Sequence, residues 1–419
     1  MRNLAVYIEK EGRQVYVGNI AGSNQEDACF CYSEEYMSNP RNAPVSIRLP
    51  FTNISYTPKA TRTFFEGLLP EGFTRRCVAD WMHIDQNDYL SLLSGLGCEC
   101  IGAVRILEED SPEVEASYQK LSLEDVKNLA KEGVSESAQL VTKAHLSLTG
   151  ASGKVGLYYD DKKGEWYLPI GNAPSTHIVK QSHVRLDRIV VNEQLCLMTA
   201  KYLGIETPES FIINMGDQRD EDILFATKRY DRKVSEEGVL LRLHQEDFAQ
   251  AMGIAAADKY EHDQRGYLKQ MFHILRQYSV DPMTDQLKLW DICVFNFLIG
   301  NTDNHIKNIS LLYSENLRSI KLAPAYDIVS TTVYESSTRN MALSIAGKYS
   351  IDEIDRKAFE EEAKNVGLGT SIAMKRFDYL AHNFTKALDQ AECTLLEQGF
   401  HGVDAMKKAI ITKRNYTDR

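Results

Sequence analysis

FNFLIGNTDNHIKNISLL, residues 295–312, sets one Asp, one His and three Asn directly behind a run of large apolar side chains. The stretch before it, DPMTDQLKLWDICVFNFLIG, predicts a helix, with Asp281 as N-cap and Pro282 in the first helical position. Leu287, Trp290, Val294, Phe297 and Leu298 form one stripe, and Ile292, Cys293, Phe295 and Ile299 widen it over most of the circumference. Such a helix is central in its domain. Gly300 ends it, so NTDNHIKN is a loop held by the stiffest part of that domain.

Downstream, ISLLY, the turn-like SENLRS and IKLAP give a hairpin signal. A turn centred near residue 316 sets Asn308 roughly opposite Pro324, with Asp327 three residues further on. Asp303, Asn308 and Asp327 are thereby expected in one neighbourhood. Hard oxygen donors of this kind suit Mg²⁺, which takes one or two protein groups and completes its shell with waters and phosphate oxygens. Asp303 and Asn308 also match the DxxxxN spacing of kinase catalytic loops, in which Asp receives the hydroxyl proton and Asn holds metal. His305 is close enough in sequence to orient the phosphate or Asp303. Asp and Asn also cap helices and make turns, but a turn does not call for Asp327 in the same place.

A phosphate-binding partner should lie upstream, and SLTGASGKVGLYYDD at 147–161 is the candidate. It is not a Walker A loop, because the spacing is wrong and a strand follows. It fits a Gly-containing loop at a sheet edge, laid over phosphates, or a plain Ser- and Gly-rich hairpin turn. Lys180 ends the strand THIVK, where an enclosed ammonium needs an acidic or phosphate partner. Glu193 sits in the first turn of the next helix, and a strand Lys paired with a helix Glu is a kinase part. A solvent-exposed Lys and a Glu favoured by the helix dipole are the alternatives.

The chain has 419 residues, 43% hydrophobic and 26% charged, with a net charge of −11. No run approaches the roughly 18 to 20 apolar residues that cross a bilayer, and MRNLAVYIEKEG lacks the apolar core of a signal peptide. A cytoplasmic chain without membrane partners is expected. The acidic balance excludes broad coating of DNA. KKAIITKRNYTDR at 407–419 is either a local basic patch or a frayed tail. The CFC and CEC spacings are not those of zinc or redox sites, so the eight cysteines are expected as buried thiols.

Along the chain, 1–142 reads as a mixed α/β region, including a helix-like run TRTFFEGLLPEGFTRRCVADWM and an acidic linker at 108–137 with one short helix. Residues 143–231 read as a small β-rich region. It contains a hairpin KVGLYYDDKKGEWYLPI, the strand THIVKQ, a helix NEQLCLMTAKYLG and the strands ESFIINM and DILFATKRY. Residues 232–419 read as mostly helical. No internal repeat is seen.

GLLPEG at 67–72, GCECIGAV at 97–104, SLTGASGK, THIVK, the NE of VVNEQL, KRYDR at 228–232, LHQEDFAQAMG at 243–253, GNTDNHIKN and APAYDI follow one another in order. Together they make the chain resemble the HipA family of toxin Ser/Thr kinases over nearly its whole length. The resemblance implies an α+β, two-lobed protein-kinase-like fold, with an N-terminal α/β subdomain, a β-rich nucleotide-binding region and a mainly helical C-terminal lobe. It implies ATP and Mg²⁺, a helix-turn-helix antitoxin, operator DNA reached through that antitoxin, and a protein substrate in translation, an aminoacyl-tRNA synthetase.

By position it makes Asp303 the catalytic base, Asn308 and Asp327 the metal ligands, and Lys180 the phosphate-binding lysine, with His305 and Tyr326 beside the nucleotide. Residues 148–154, including Thr149, Gly150, Ala151, Ser152, Gly153 and Lys154, form the phosphate loop. Lys228 and Tyr230 fall at the adenine hinge and Gln245 at a nucleotide-side Gln. Ser147 matches the serine that members autophosphorylate. Two positions depart from the family: GASGK stands where GAQxK is frequent, and Lys228 replaces an acid, which bears on side-chain recognition of adenine. A catalytically idle corepressor working with an antitoxin, and a metal-dependent phosphoesterase, are the competing functions.

Overall fold

The computed structural model describes residues 2–52, 55–108, 115–132, 153–182, 186–217 and 219–413. The chain forms two compact units, each assembled from separate stretches. The first takes Met1–His183, Ile213–Ala256 and Leu312–Ile320, and the second takes Val184–Ile212, Ala257–Leu311 and Lys321–Arg419. The expected boundary near 142 falls outside the described residues, and residue 231 lies inside the 213–256 stretch of the first unit.

The first unit opens with strands β1 (Arg2–Lys10), β2 (Arg13–Gly22), β3 (Cys29–Tyr32) and β4 (Val104–Glu108), in the order β3-β2-β1-β4. Leu4, Val6 and Ile8 recur at every second position of β1 and are fully buried, as a strand with one covered face requires. The same alternation corrects the expectation for the cysteines. Phe30 takes the buried face of β3, leaving Cys29 and Cys31 only partly covered, while Cys393 is exposed. All eight are free thiols, and Cys100, Cys196 and Cys293 are buried. The helix-like run at 61–82 is also broken. One helix spans Pro58–Phe65, a 3-10 turn follows at Glu66–Leu68, and a second helix covers Gly72–Met82. Pro70 explains the break, because it holds Leu69 extended and has no N–H to continue a helix.

A six-stranded sheet follows, made of β5 (Ser117–Lys120), β6 (Lys154–Asp160), β7 (Glu165–Ile170), β8 (His177–Gln181), β9 (Ser210–Asn214) and β10 (Ile223–Lys228). Its order is β5-β7-β6-β8-β10-β9. The expected hairpin is present, with Tyr158 opposite Tyr167 and Asp160 opposite Glu165. Its turn is closed by the Asp160 carboxylate, which accepts from the backbone N–H of Lys162 at 3.1 Å. Strand β5 lies where a linker was expected. All four of its residues are exposed, so no apolar alternation marks it, and pairing with β7 makes it a strand. Short strands β11 (Arg232–Val234), β12 (Leu240–Arg242) and β13 (Gln245–Asp247) extend the β-rich part past residue 231.

In the second unit the helix Pro282–Ile299 is central, as its sequence predicts. Asp281 caps it by accepting from the Thr284 N–H, Pro282 stands in its first turn, and every residue from 289 to 300 is buried. Phe359 packs edge-on against Trp290 at 5.6 Å and lies 5.2 Å from Phe297. The Trp290 indole donates to the Ala373 carbonyl at 2.9 Å, tying in the helix Thr370–Glu397. A last helix, Val403–Lys413, takes up most of the basic segment expected as a patch or frayed tail. Val403 and Ile410, two turns apart, bury one side of it. Among the described residues no helix is long and apolar enough to cross a membrane.

Candidate active site

Gly300 terminates the central helix at φ 75°, and a Cβ there would stand 2.1 Å from Thr332 Oγ1. Only glycine fits a left-handed cap this close to a neighbour. The small polar residues beyond it convert the rigidity of the helix into the position of one carboxylate. Asn296 Nδ2 donates to the Ile292 carbonyl at 2.8 Å, and its Oδ1 accepts from Asn301 Nδ2 at 2.7 Å. Asn301 Oδ1 in turn accepts the Asp303 N–H at 3.0 Å. On the other side the Thr302 N–H donates to Thr331 Oγ1 at 2.8 Å, and that hydroxyl donates to the Gly300 carbonyl at 3.1 Å.

Asp303 itself is exposed, while its neighbours Thr302, Asn304 and His305 are buried. The His305 N–H donates to the Asp303 carbonyl at 2.8 Å, and Asn308 Nδ2 donates to that same oxygen at 3.0 Å. Asp303, His305 and Asn308 are thus brought together. The Tyr326 hydroxyl donates to the Lys307 carbonyl at 2.9 Å and lies 2.7 Å from Ser310 Oγ. That contact fastens the segment carrying Asp327 to the residue before Asn308. Asp327 adopts φ 55°, a conformation that costs most residues about 1–2 kcal/mol and that Asp tolerates best after Gly and Asn. The hairpin pairs Ser310 with Ala323, one residue out of the expected register.

Sequence spacing did not single out two supporting residues. Asn192, from the NE pair, donates to the Ser330 carbonyl at 3.0 Å and accepts the Ser330 N–H at 2.9 Å, holding the chain three residues past Asp327. The Tyr260 hydroxyl donates to Asp303 Oδ1 at 2.5 Å. The NE motif was a signal for Asn192; nothing in the spacing ties Tyr260 to Asp303. Glu193 is buried in the helix Ile189–Tyr202. Among the described residues no group of three or more His, Cys, Asp or Glu could cage a metal ion. Two carboxylates and an amide oxygen suit a cation that keeps waters and phosphate oxygens in its shell, as Mg²⁺ does.

The remaining described candidates lie in the first unit. Lys180 on β8 stands directly opposite Lys154 on β6, both buried, and its ammonium is 5.6 Å from the centre of the Phe225 ring on β10. Directly opposed residues share one face of a sheet, and like charges there repel unless an anion lies between them. Gly153 immediately precedes Lys154. Ser147, Thr149, Gly150, Ala151 and Ser152 lie outside the described residues. Tyr230 donates its hydroxyl to Gln245 Oε1, so these two come together, whereas Lys228 ends β10 exposed.

Tyr230 and Gln245 are carried by a buried ion cluster. Glu99 Oε1 accepts from Arg232 at 2.9 Å, from Arg229 at 3.3 Å and from the Ser175 N–H at 2.9 Å. Asp231 accepts from Arg229 at 2.7 Å and from the Gly102 N–H at 2.7 Å. Arg242 reaches Glu9 at 3.1 Å and Glu99 Oε2 at 3.6 Å. Burial alone would push Glu99 up, but the guanidiniums of Arg242, Arg232 and Arg229 outweigh it and hold this carboxyl at about 2. Asp231 is held well below its ordinary value in the same way, by Arg229 and Arg232 against burial. Gly102, at φ 78°, lets the chain pass the Gln245 backbone, whose nitrogen would stand 2.9 Å from a Cβ. Next to Gln245, Glu246 accepts from Ser46 Oγ at 2.6 Å, from the Ile47 N–H at 3.1 Å and from the Tyr313 hydroxyl. Burial raises its carboxyl to about 7 despite these donors.

Known proteins place the chain as a whole. The family description "HipA N-terminal domain" matches residues 5–107, and "HipA-like C-terminal domain" matches residues 146–388. "Putative kinase Y4mE" of Sinorhizobium fredii is 31% identical over 89% of this chain and 88% of its own. "Serine/threonine-protein kinase toxin HipA" of Shewanella oneidensis is 23% identical over 82% of this chain and 80% of its own. In the solved complex of Shewanella oneidensis HipA with HipB and operator DNA, one chain has the same fold. It gives a TM-score of 0.78 at 20% identity, covering 98% of this chain and 96% of that one. The α+β architecture is therefore that of a HipA-like kinase, and because the C-terminal description alone spans more than half of these residues, the chain belongs to the HipA family of serine/threonine kinase toxins.

Proposed function

We propose that this protein is an ATP-dependent protein kinase, the toxin of a type II toxin–antitoxin module, which phosphorylates a component of translation, an aminoacyl-tRNA synthetase. The observation that carries the reading is the Asp303 carboxylate, exposed at the end of a buried helix, with Asn308 five residues on and bonded to the same turn. A carboxylate so fixed can align an acceptor hydroxyl and take its proton. The Asn308 nitrogen donates to the Asp303 carbonyl, and its amide oxygen and the Asp327 carboxylate would be the metal ligands. Bound magnesium would neutralise the charge developing on the phosphates during transfer.

Lys180 and Glu193 keep the phosphate-side roles that the kinase pattern gives to a strand lysine and a helix glutamate. Lys154 and Lys180 stand opposite each other on one sheet face, which supports a phosphate-side role for both. Tyr230, Gln245 and Lys228 take the adenine side, and His305 and Tyr326 flank the nucleotide. Residues 148–154 act as the phosphate loop and Ser147 as the site of self-phosphorylation. The Shewanella protein assembles with HipB and operator DNA. We infer a helix-turn-helix antitoxin here as well, with DNA reached mainly through it, in keeping with the net charge of −11 and a cytoplasmic location.

Incubating the purified chain with magnesium and γ-labelled ATP tests this. Label is expected on Ser147 and is expected to vanish in Asp303→Gln. ATP binding with no labelling of the wild type would support an idle corepressor. Phosphate release from simple esters without ATP would support a phosphoesterase.

A further inference from the structure

We infer that Thr331 is a positioning residue for phosphoryl transfer, its hydroxyl tying the loop that carries Asp303 to the segment that carries Asp327. The inference rests on the kinase reading and deepens it, because that reading takes its base from one of these segments and a metal ligand from the other. Two segments joined at one point can still hinge about it; joined at both ends, they move as one. The far end is joined by Tyr326, whose hydroxyl donates to the Lys307 carbonyl at 2.9 Å. Thr331 closes the near end. Its Oγ1 accepts the Thr302 N–H at 2.8 Å, donates to the Gly300 carbonyl at 3.1 Å and lies 2.7 Å from Thr302 Oγ1. The residue before Asp303 is thus met at its backbone and at its side chain by one hydroxyl.

The strut is anchored on both sides. Thr331 opens a 3-10 turn, Thr331–Val333, which the Tyr334 N–H closes on the Thr331 carbonyl at 3.1 Å. The Thr332 N–H donates to the Gly300 carbonyl at 3.1 Å. Ser330, just before the turn, is fully buried and held at both backbone groups by Asn192. On the loop side Thr302 is buried, and its Oγ1 donates to the Thr338 carbonyl at 3.1 Å. Between the two joints Asp327 keeps its φ of 55°, and such a conformation persists where the surroundings over-determine it. A threonine that served only its own turn would spend its hydroxyl there. This one spends it on Gly300 and Thr302.

Thr331→Val keeps the branched shape and removes the hydroxyl, whereas Thr331→Ser keeps the hydroxyl and removes the methyl. Initial rates of self-labelling with γ-labelled ATP are measured for the full chain and both variants over a range of ATP concentrations, well below the Tm of each. In Thr331→Val the maximal rate is expected to fall roughly tenfold at unchanged half-saturating ATP, because alignment is lost while nucleotide binding is not. Thr331→Ser is expected to recover most of the wild-type rate. A Thr331→Val chain with a lowered Tm but the wild-type maximal rate overturns the inference and leaves the kinase reading standing, since the hydroxyl then serves stability alone. A Thr331→Ser chain as slow as Thr331→Val, or a rise in half-saturating ATP at unchanged maximal rate, also overturns it. If Thr331→Val does not fold, Thr331→Ala, which lacks the same hydroxyl, takes its place with the same expectations. A wild-type chain that transfers no label sinks the kinase reading and this inference with it.

Discussion

Six charged side chains of the first unit, Glu9, Glu99 and Asp231 with Arg229, Arg232 and Arg242, are sealed from water and matched three against three. The loop 301–308 of the second unit does the reverse, using neutral amides and hydroxyls, most of them buried, to hold one carboxylate in the open. Both regions are rich in hydrogen bonds, yet they answer different physical demands. A buried charge is tolerable only when its partners and donors saturate it, and a saturated carboxylate has no lone pair to offer a substrate. A carboxylate that acts as a base, as proposed for Asp303, must stay within reach of its substrate, and here neutral amides hold the backbone around it. Dense charge therefore serves as support in the sealed cluster, whereas the base proposed for phosphoryl transfer is a lone carboxylate on a stiff frame.

Replacing the single acidic group of the loop 301–308 should affect activity and leave folding intact. Asp303→Gln is expected to lower phosphoryl transfer by about 10²–10⁴-fold, the usual worth of a positioned general base, at unchanged Tm; a comparable loss of Tm would mean that the loop carboxylate is structural. In the sealed cluster the order of effects should invert. Glu99→Gln leaves three guanidiniums facing two carboxylates and is expected to cost about 3–5 kcal/mol of unfolding free energy, read from denaturant midpoints. A variant as stable as the wild type would show that the cluster is dispensable.

Acid should probe the same cluster more gradually. Glu99 titrates at about 2 when folded and near 4.5 when unfolded, so between these values the unfolded chain binds more protons. Stability is accordingly full above about 4.5 and lost as pH falls toward 2, with Asp231 acting in the same direction. Glu99→Gln should flatten this limb in pH-dependent unfolding curves, and an unchanged slope would assign it to other groups. The least effect is expected at the bidentate pair of Arg356 and Asp378, both bonds 2.8 Å but the side chains roughly half exposed. Arg356→Ala should change stability by less than about 1 kcal/mol, and a larger loss would contradict the view that enclosure, and not charge pairing as such, gives the buried cluster its weight.

Much of the candidate site was legible in the chain. The N-cap at Asp281, the apolar stripe to Ile299, the stop at Gly300 and the hairpin behind it are local signals, set by capping, periodicity and turn chemistry within a few residues of one another. So are the hairpin of β6 and β7 and the DxxxxN spacing. Strand β5 was not legible, because its four exposed residues become a strand only through a partner some fifty residues later. The burial of Arg229, Arg232 and Glu99 was equally hidden, since nothing local in the KRYDR run encloses its charges and Glu99 is brought against it across 130 residues. Tyr260 is the same case in the second unit, meeting Asp303 across 43 residues.

Periodicity and spacing act along the chain, and they were enough to specify a stiff helix ending in a polar loop and the order of the family's motifs. Which charges are enclosed, which tyrosine touches the carboxylate and which strand joins the sheet depend on contacts between residues far apart in sequence. Those contacts exist only once the apolar faces have packed and withdrawn water from the groups between them.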